Sequence, residues 1–494
     1  MSTAPEPPFA ERISMDEFEK LGHAVVTELA RFLRSSSAGE VPVVPFDGID
    51  EVARKLSLEE RLRNGRMGVA DLVDFAHDYC AMSAGHHHPG YLAHQIAPPD
   101  LPSVIGDLIK GVTNNIPLIY ELAPAGTAVD RTVYSWMLRQ AGWADSGTGT
   151  LTSGGTLGNL TALLAARAHA APLSRRDGNP GGLVVLAPPS SHYSLRKAVM
   201  VLGLGESALV GLPVDRYGRI DVEQLPGCVE RLSARGLRPM ALVANACATA
   251  TGLHDDLVEI GQFCAGQDIW LHVDGAHGAS GLLSPRLRSR FEGLSHASSL
   301  IWDAHKMLRA SALCTGVLFR KAQDFEGLFR QDASYLFHEE ALAADMGQRT
   351  FETSKPPLGL NTFLNLAAQG EHALRGYVED QYDKATRFWE LIGQRPDFEA
   401  PYRPESNILC FRYRGLPDGQ LWIRDQLREA GNFYLSSAEV DGRTHLRVAI
   451  MSPTTDETAL HRLLDDIERI GCTAGPNRTF DPGTTVSPRT ETNR

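Results

Sequence analysis

Two short stretches of the sequence carry a lysine and an aspartate in positions where an enzyme could use them. Lys306 lies in Ile301–Leu308 (Ile-Trp-Asp-Ala-His-Lys-Met-Leu), and Asp274 lies in Leu271–Gly278 (Leu-His-Val-Asp-Gly-Ala-His-Gly). About thirty residues separate the two stretches, which is typical of two strand ends joined by a crossover in an α/β sheet. An aspartate at one strand end and a lysine at the next is the arrangement that a pyridoxal phosphate (PLP) enzyme needs.

A glycine-rich turn precedes a strongly helical stretch. The turn is Leu151–Asn159 (Leu-Thr-Ser-Gly-Gly-Thr-Leu-Gly-Asn), and residues 160–171 are dense in Ala and Leu. Such a turn leaves backbone N–H groups unpaired at the positive end of the helix dipole, which suits a phosphate. The turn is neither a Walker loop, because no Lys follows its glycines, nor the Gly-x-Gly-x-x-Gly of dinucleotide-binding folds. An ordinary loop before a helix is the alternative interpretation.

Four histidines lie close together in the sequence, three of them adjacent at 86–88 and the fourth at His94. Adjacent residues point in different directions on any regular element and rarely bind one ion together. The stretch also lacks a second cluster of ligands at a suitable spacing. We therefore predict no metal site.

The elements that must position these residues alternate between strand and helix. Helical patterns, as around Val222–Ala234 and Asp256–Cys264, separate most of the predicted strands, which are Leu183–Ala187, Met200–Leu204, Met240–Ala244, Trp270–Val273, Ser299–Trp302 and Gly316–Phe319. This alternation predicts an α/β fold with a mainly parallel sheet and helices on both faces. Ligands of such sheets bind beyond the carboxyl ends of the strands, where Asp274 and Lys306 both fall.

The rest of the chain suggests four segments. Residues 1–95 form a helical arm that includes an amphipathic helix over Met15–Leu33, 96–385 form the large domain, 386–472 form a small α+β domain, and 473–494 form a disordered tail rich in Pro, Thr, Gly and Asn. The small domain has predicted strands near Ile408–Tyr413, Phe433–Ser437 and His445–Ile450 and a last helix over Asp456–Ile470.

Composition narrows the class of protein. The chain has 494 residues and a net charge of −12, which disfavours a nucleic-acid binder. Its seven cysteines are scattered without a Cys-x-x-Cys pair, which argues against a disulfide framework. We see neither a membrane-spanning run nor a secretory signal over Met1–Ala10, and we expect a cytoplasmic protein without a membrane partner.

Taken together, these motifs resemble those of fold type I PLP enzymes, and among them the group II amino acid decarboxylases that act on aromatic amino acids, glutamate, cysteine sulfinate or diaminobutyrate. The resemblance runs from about Gly85 to Thr454 and follows the family's order of motifs. It implies an aspartate aminotransferase-like fold with a small C-terminal domain, PLP as cofactor, and decarboxylation of an L-amino acid to an amine and CO2.

The resemblance also assigns roles around the cofactor. Lys306 would form the Schiff base, Asp274 would pair with the pyridine nitrogen, His192 would stack on the ring and Ala276 would lie against its other face. The further cofactor-binding positions are Ser153, Gly154, Gly155, Thr156, Thr249 and His305. Asp303 stands where the family often has Asn. Because an acidic side chain near a phosphate is unfavourable, we expect Asp303 to point away from the turn.

Three residues are implied on the substrate side. Arg447, in His445–Ile450, matches the small-domain arginine that holds the substrate carboxylate, a task that suits a guanidinium fork. His94 and Gln95 would line the same side. Apolar neighbours such as Ile96 and Ile116, without a second prominent Arg or Lys, favour a neutral or aromatic amino acid. A homodimer with active sites at the interface is also implied.

The predicted mobile lid, residues 331–352, departs from the family. The family's decarboxylases use a lid tyrosine to protonate the carbanion, but no tyrosine lies between Leu336 and Phe351. Tyr335 matches the family's anchoring position at the start of the loop. His338 or His192 could supply the proton instead. Two alternatives stay open: decarboxylation coupled to oxidative deamination, which gives an aldehyde, and another PLP reaction such as transamination or β-elimination.

Overall fold

The structure, a computed structural model, describes residues 13–474 except 46, 66, 312 and 332–343. Most of the predicted lid and the predicted tail therefore lie outside the described residues, as do Tyr335 and His338. Within the described ranges every helix is too short or too polar to cross a lipid bilayer.

The described residues form fourteen α-helices and eleven strands, besides short 3-10 turns. The helices are α1 (Met15–Ala38), α2 (Ile49–Lys55), α3 (Leu58–Asn64), α4 (Val69–Ala81), α5 (Leu101–Thr113), α6 (Pro124–Ala141), α7 (Gly155–Ala170), α8 (Ser174–Asp177), α9 (Ser194–Val201), α10 (Leu225–Ser233), α11 (Leu257–Gly266), α12 (Gly359–Gly393), α13 (Gln420–Ala430) and α14 (Glu457–Thr473). The strands are β1 (Thr148–Thr152), β2 (Leu183–Ala187), β3 (Leu209–Gly211), β4 (Arg238–Asn245), β5 (Trp270–Asp274), β6 (Ser299–Asp303), β7 (Thr315–Phe319), β8 (Phe398–Glu399), β9 (Ile408–Tyr413), β10 (Ser436–Val440) and β11 (Arg443–Ala449).

The chain divides into two compact units. The first comprises, among the described residues, 13–93, 413–436 and 452–474, and it contains α1 to α4, α13 and α14. Its amphipathic first helix begins as predicted at Met15, where Ser14 and Glu17 form a capping box. The Nδ1 atom of His88, in the histidine run, accepts a hydrogen bond from the backbone of Gly90 at 2.9 Å, so this histidine stabilises its own turn.

The second unit comprises 94–412 and 437–451 and contains both sheets, apart from single end residues of β9 and β10. Its seven-stranded sheet has the order β1-β7-β6-β5-β4-β2-β3. The strands β2 to β6 run parallel to one another, whereas β7 is antiparallel to both β6 and β1. A second, four-stranded sheet has the order β10-β11-β9-β8. The predicted α/β class with a mainly parallel sheet is confirmed.

Both faces of the large sheet are buried. Leu242 and Ala244 of β4 belong to one apolar cluster, and their neighbours Ala241 and Val243 belong to a second cluster on the other face. Alternation of this kind follows from the two-residue period of a strand. Because both faces are covered, the strands are nearly continuous apolar runs, as in Leu183–Ala187, where every residue is buried.

The predicted strand over Met200–Leu204 is wrong, because this stretch contains the end of α9 and the turn after it. The buried residues here are Leu195, Ala198, Val199 and Leu202, which is helical spacing, whereas Met200 and Val201 are 54% and 58% exposed. The strand predicted near Phe433 begins later, at Ser436. The domain boundaries at 95, 385 and 472 stay a prediction.

Candidate active site

The sheet places Asp274 and Lys306 at the same edge. Asp274 ends β5, which pairs in parallel with β6 in a register that sets Asp274 opposite Ile301. β6 ends at Asp303, and Lys306 follows in the next turn. Both side chains line one cavity of about 620 Å³. The strand-end positions predicted from the sequence therefore bring the amine and the carboxylate together.

The Lys306 amine has a carboxylate neighbour. Its Nζ atom lies 3.3 Å from Oδ2 of Asp303, a side chain that is almost completely buried. The other Asp303 oxygen accepts a hydrogen bond from Thr315 Oγ1 at 2.6 Å. Both carboxylate oxygens also lie 3.3 Å from the point where a side chain at Gly155 would begin. Our expectation that Asp303 points away from the glycine-rich turn is therefore wrong, because the lysine and the threonine hold the carboxylate beside it.

The Asp274 carboxylate is held by two donors. Its Oδ2 atom accepts a hydrogen bond from Asn159 Nδ2 at 3.0 Å, and its Oδ1 atom accepts one from the backbone N–H of Ala276 at 3.2 Å. The residue is 8% exposed and still lines the cavity. A buried carboxylate that faces a cavity suits a cationic N–H group of a ligand.

His192 and Ala276 line the same cavity. The Nδ1 atom of His192 lies 2.8 Å from the Ser194 hydroxyl. Burial lowers the pKa of His192, an effect that the nearby Asp274 carboxylate partly offsets. At neutral pH His192 is therefore an uncharged imidazole in the wall of the cavity.

The glycine-rich turn joins β1 to α7. Gly154 has a φ of +135°, a backbone conformation that favours glycine, and α7 begins at the next residue. The first N–H groups of this 16-residue helix have no partner within the helix, and residues 153–156 all line the cavity. The Ser153 hydroxyl, however, donates to Glu352 Oε1 at 2.5 Å and would have to turn to reach a phosphate.

His305 and Thr249 also line the cavity. The Nδ1 atom of His305 lies 3.0 Å from the Cys314 carbonyl oxygen and 3.2 Å from the Cys314 backbone nitrogen, and its Nε2 atom lies 3.5 Å from Asp303 Oδ2. Thr249 also lies next to Arg447, whose Nη2 donates a hydrogen bond to the Thr249 carbonyl at 2.7 Å. All ten residues predicted to bind the cofactor or act on it are thus brought to one cavity.

The three predicted substrate residues lie outside the lining of that cavity. Arg447 is 5% exposed, and its Nε donates to the carbonyls of Thr249 and Ala250 at 3.1 and 3.0 Å. Burial lowers the pKa of Arg447. Burial, followed by the charge of Arg447, lowers the pKa of His94. The Nε2 atom of Gln95 is buried without a hydrogen-bond partner among the described residues.

The sequence analysis missed several residues of the cavity wall, among them Asn159, Lys197, Cys247, His277 and Leu313. Asn159 lies one helical turn after Gly155, and this spacing could have suggested it. His277 is three residues after Asp274, in the same strand-end turn. Burial lowers the pKa of His277 to about 3, so its ring is neutral.

The groups around the cavity match the chemistry of PLP. An exposed helix N-terminus with a neighbouring Thr suits a phosphate, a buried carboxylate suits a protonated ring nitrogen, and a lysine amine suits an aldehyde. The fit rests on the chemistry of these donors and acceptors and on their placement around one cavity.

Comparison with known proteins also indicates a pyridoxal-dependent enzyme. The family described as "Pyridoxal-dependent decarboxylase conserved domain" matches residues 70–414. The chain is 33% identical over 396 residues to an L-2,4-diaminobutyrate decarboxylase of Rhizobium meliloti, covering 78% of each chain. It is 24% identical over 474 residues to an aromatic-L-amino-acid decarboxylase of Bacillus atrophaeus, covering 93% of this chain and 96% of that protein.

A solved structure shares the fold. The crystal structure of mouse CSAD in apo form superimposes with a TM-score of 0.86 and 22% identity, covering 93% of this chain and 99% of that one. The family match spans more than half of the chain, and the Rhizobium relative is similar along most of its length. The chain therefore belongs to the pyridoxal-dependent decarboxylase family and is a PLP-dependent carboxy-lyase that acts on an amino acid.

Proposed function

We propose that this enzyme converts a neutral or aromatic L-amino acid to its amine and CO2, with Lys306 as the lysine that binds PLP. The observation that carries the proposal is the placement of the Lys306 amine and the Asp274 carboxylate on one cavity at neighbouring strand ends. When bound, PLP supplies an electron sink for the electron pair that CO2 leaves behind on Cα.

The residues around the cavity would hold the cofactor at three points. The N-terminus of α7, with Ser153 and Thr156, would bind the phosphate. Asp274 would keep a proton on the ring nitrogen, because its buried charge is most stable beside a cation. His192, Ala276, Thr249 and His305 would contact the remainder of the cofactor, since all four line the cavity.

Arg447 would orient the substrate. The carbonyl groups of Thr249 and Ala250 fix its guanidinium group, so its direction is set before a ligand binds. A fixed guanidinium can grip both oxygens of a carboxylate. Holding that group in one orientation is the protein's main contribution to a decarboxylation, because bond cleavage depends on alignment with the cofactor. His94 and Gln95 would lie on the same side.

The cavity wall favours a neutral or aromatic side chain. Its large aliphatic members are Leu157, Leu160, Met200, Val201, Ile301 and Leu313. The name of the Rhizobium relative raises diaminobutyrate as a second candidate substrate. Against it, Lys197 adds a cation to the wall, and both carboxylates of the wall, Asp274 and Asp303, already have partners. A second ammonium group would therefore find little stabilisation there.

We further propose that the enzyme is a homodimer. One side of α5 carries five exposed apolar side chains at helical spacing, and these are Leu101, Ile105, Leu108, Ile109 and Val112, between 40% and 65% exposed. A contiguous apolar stripe of this kind marks an interaction surface. A second copy of the chain would cover it.

The test supplies the PLP-loaded protein with single amino acids and measures CO2, amine, aldehyde and hydrogen peroxide. The panel contains L-tryptophan, L-tyrosine, L-phenylalanine, L-leucine, L-2,4-diaminobutyrate and L-glutamate. We expect equal amounts of CO2 and amine from a neutral or aromatic member. Aldehyde and peroxide equal to CO2, with no amine, would instead establish oxidative deamination, and keto acid without CO2 would contradict decarboxylation.

Lys306→Ala is the variant for this test, and Lys321→Ala, which removes an exposed lysine outside the cavity, is its control. We expect product formation to be abolished only in Lys306→Ala.

A further inference from the structure

One buried amide connects two walls of the cavity. The Nδ2 group of Asn159, on α7, donates to Asp274 Oδ2 at 3.0 Å and to Ser194 Oγ at 2.8 Å. Its Oδ1 atom lies 2.8 Å from Nε2 of His272. Asn159 is 1% exposed, so these three hydrogen bonds are shielded from water.

The chemistry of the partners fixes the orientation of this amide. Turning it over would place its oxygen against the Asp274 carboxylate, where two acceptors would repel each other. The oxygen of Asn159 must therefore accept, and Nε2 of His272 must carry the hydrogen. Burial lowers the pKa of His272 to about 4, so the ring is neutral and its Nδ1 atom is an acceptor.

The network continues beyond His272 to a terminal donor. Nδ1 of His272 accepts from the Ser299 hydroxyl at 2.8 Å, and the Ser299 oxygen accepts from Trp270 Nε1 at 2.9 Å. Both side chains are fully or almost fully buried. Each donor hydrogen in this series has one possible acceptor. All the hydrogen bonds from Trp270 to Asp274 are therefore donated in the same direction.

A second branch reaches His192. The oxygen of Ser194 accepts from Asn159, which leaves the single hydroxyl hydrogen for Nδ1 of His192, 2.8 Å away. The backbone N–H of Ser194 points to the same nitrogen at 3.3 Å. Nδ1 of His192 is thus an acceptor, and the neutral ring carries its hydrogen on Nε2.

We infer that Asn159 is a positioning residue with two roles. Its amide group fixes the position of the Asp274 carboxylate, and through Ser194 it fixes the tautomer of His192. The N–H group that Asn159 donates to Oδ2 suits a carboxylate that acts as an acceptor, so Asn159 would present Asp274 as an acceptor to an N–H group of the ring. Through Ser194 it also fixes His192 as an N–H donor toward the cofactor. The inference rests on the proposed function, because it takes Asp274 as the partner of the ring nitrogen.

The test compares the PLP-loaded wild type with Asn159→Ala and Ser194→Ala. PLP labelled with a nitrogen isotope at its pyridine position reports by NMR whether the ring nitrogen carries a proton. We expect a protonated nitrogen in the wild type and a shift toward the unprotonated signal in Asn159→Ala. Its kcat should fall on the order of 10- to 100-fold, the scale expected when a catalytic group is misplaced, with a smaller change in KM.

Ser194→Ala separates the two branches, because it cuts the link to His192 and leaves the bond from Asn159 to Asp274 in place. We expect an unchanged pyridine signal and a kcat reduced by roughly 3- to 10-fold, about the loss of one hydrogen bond. Ser194→Ala also tests the inference if Asn159→Ala does not fold or bind PLP. An unchanged kcat in Ser194→Ala would then overturn the inference.

Other outcomes also have a clear meaning. A wild-type pyridine signal and kcat in folded, PLP-loaded Asn159→Ala would overturn the inference, and a loss of thermal stability alone would show a merely structural role. A wild type that neither binds PLP nor releases CO2 would instead overturn the proposed function.

Discussion

The carboxylate of Asp303 lies 3.3 Å from the amine of Lys306 and 3.3 Å from the position of a side chain at Gly155. One negative charge therefore borders both the reactive lysine and the turn proposed to bind phosphate. Near the phosphate this charge is repulsive, and beside the lysine the carboxylate binds the amine that must be free to react with an aldehyde. Both effects oppose cofactor binding.

Asp303→Asn should therefore bind PLP more tightly. Removing this like charge near the phosphate is worth about 1 kcal/mol, so we expect the dissociation constant to fall on the order of fivefold. Fluorescence titration of the PLP-free protein measures it. Asp268→Asn makes the same change at a highly exposed site and should have no effect. Weaker binding by Asp303→Asn would show that the carboxylate is needed in the site.

Lys355 should be important for the stability of the phosphate turn. Its buried amine donates to the Leu151 carbonyl in β1 at 2.5 Å and to Thr350 at 3.1 Å, and it lies 3.6 Å from Glu352, the partner of Ser153. Burial lowers the pKa of Lys355. Lys355→Met leaves these acceptors buried without a donor and should lower the free energy of unfolding by about 3 kcal/mol.

Urea unfolding measures this loss. Lys55→Met, which breaks a more exposed ion pair with Asp47, should cost less than about 1 kcal/mol. Equal losses in the two variants would contradict the importance of the buried amine.

Stability should fall with acid partly because of His277. Burial lowers its folded-state pKa to about 3 from the ordinary 6.5, with the charge of Lys306 as the next cause. Below pH 6.5 the His277 imidazole binds a proton in the unfolded chain, whereas in the folded chain it stays neutral down to about pH 3. The stabilisation is therefore fully present above pH 6.5 and is lost as the pH falls through this window.

His277→Gln removes this contribution. Between pH 6.5 and pH 5 the PLP-free variant should lose about 2 kcal/mol less stability than the wild type. His461→Gln, which changes an exposed histidine, is the control and should leave the pH dependence of the free energy of unfolding unchanged. Parallel stability curves for the wild type and His277→Gln would mean that this imidazole does not titrate as described.

The apolar side of α5 predicts the oligomeric state. Leu108→Glu places a charge in the middle of the exposed stripe, and we expect it to convert a wild-type dimer to a monomer in light scattering, because a charge buried in an apolar interface is costly. Leu62→Glu, at a side chain that is 86% exposed on α3, should leave the dimer intact. A monomeric wild type would contradict the proposed interface.

The sequence predicts best what depends on local pattern. Asp274 and Lys306 follow apolar strands, so their place at one sheet edge could be inferred from strand order. The stretch at Met200 has the pattern of a strand because a short apolar run has no clear period. Only burial distinguishes the inner face of α9 from exposed Met200 and Val201. The strand β1 was not predicted, since five residues that include Gly149 carry too weak a pattern.

The network around Asn159 could not be predicted in the same way. Asn159 and His272 are 113 positions apart, and their contact exists only once α7 packs on the sheet. His272 and Asp274 do share a strand face by their spacing of two residues, which hints at a common environment. The direction of Asp303 likewise depends on Thr315 in the neighbouring strand β7, whose register no local pattern reveals.

The identity of the lysine that binds PLP is the central claim. Borohydride reduction of the PLP complex fixes the cofactor to its lysine, and peptide mass spectrometry then locates the label. The account predicts the label on Lys306 and on no other peptide. A label on Lys197 of the cavity wall, or on buried Lys355, would contradict it.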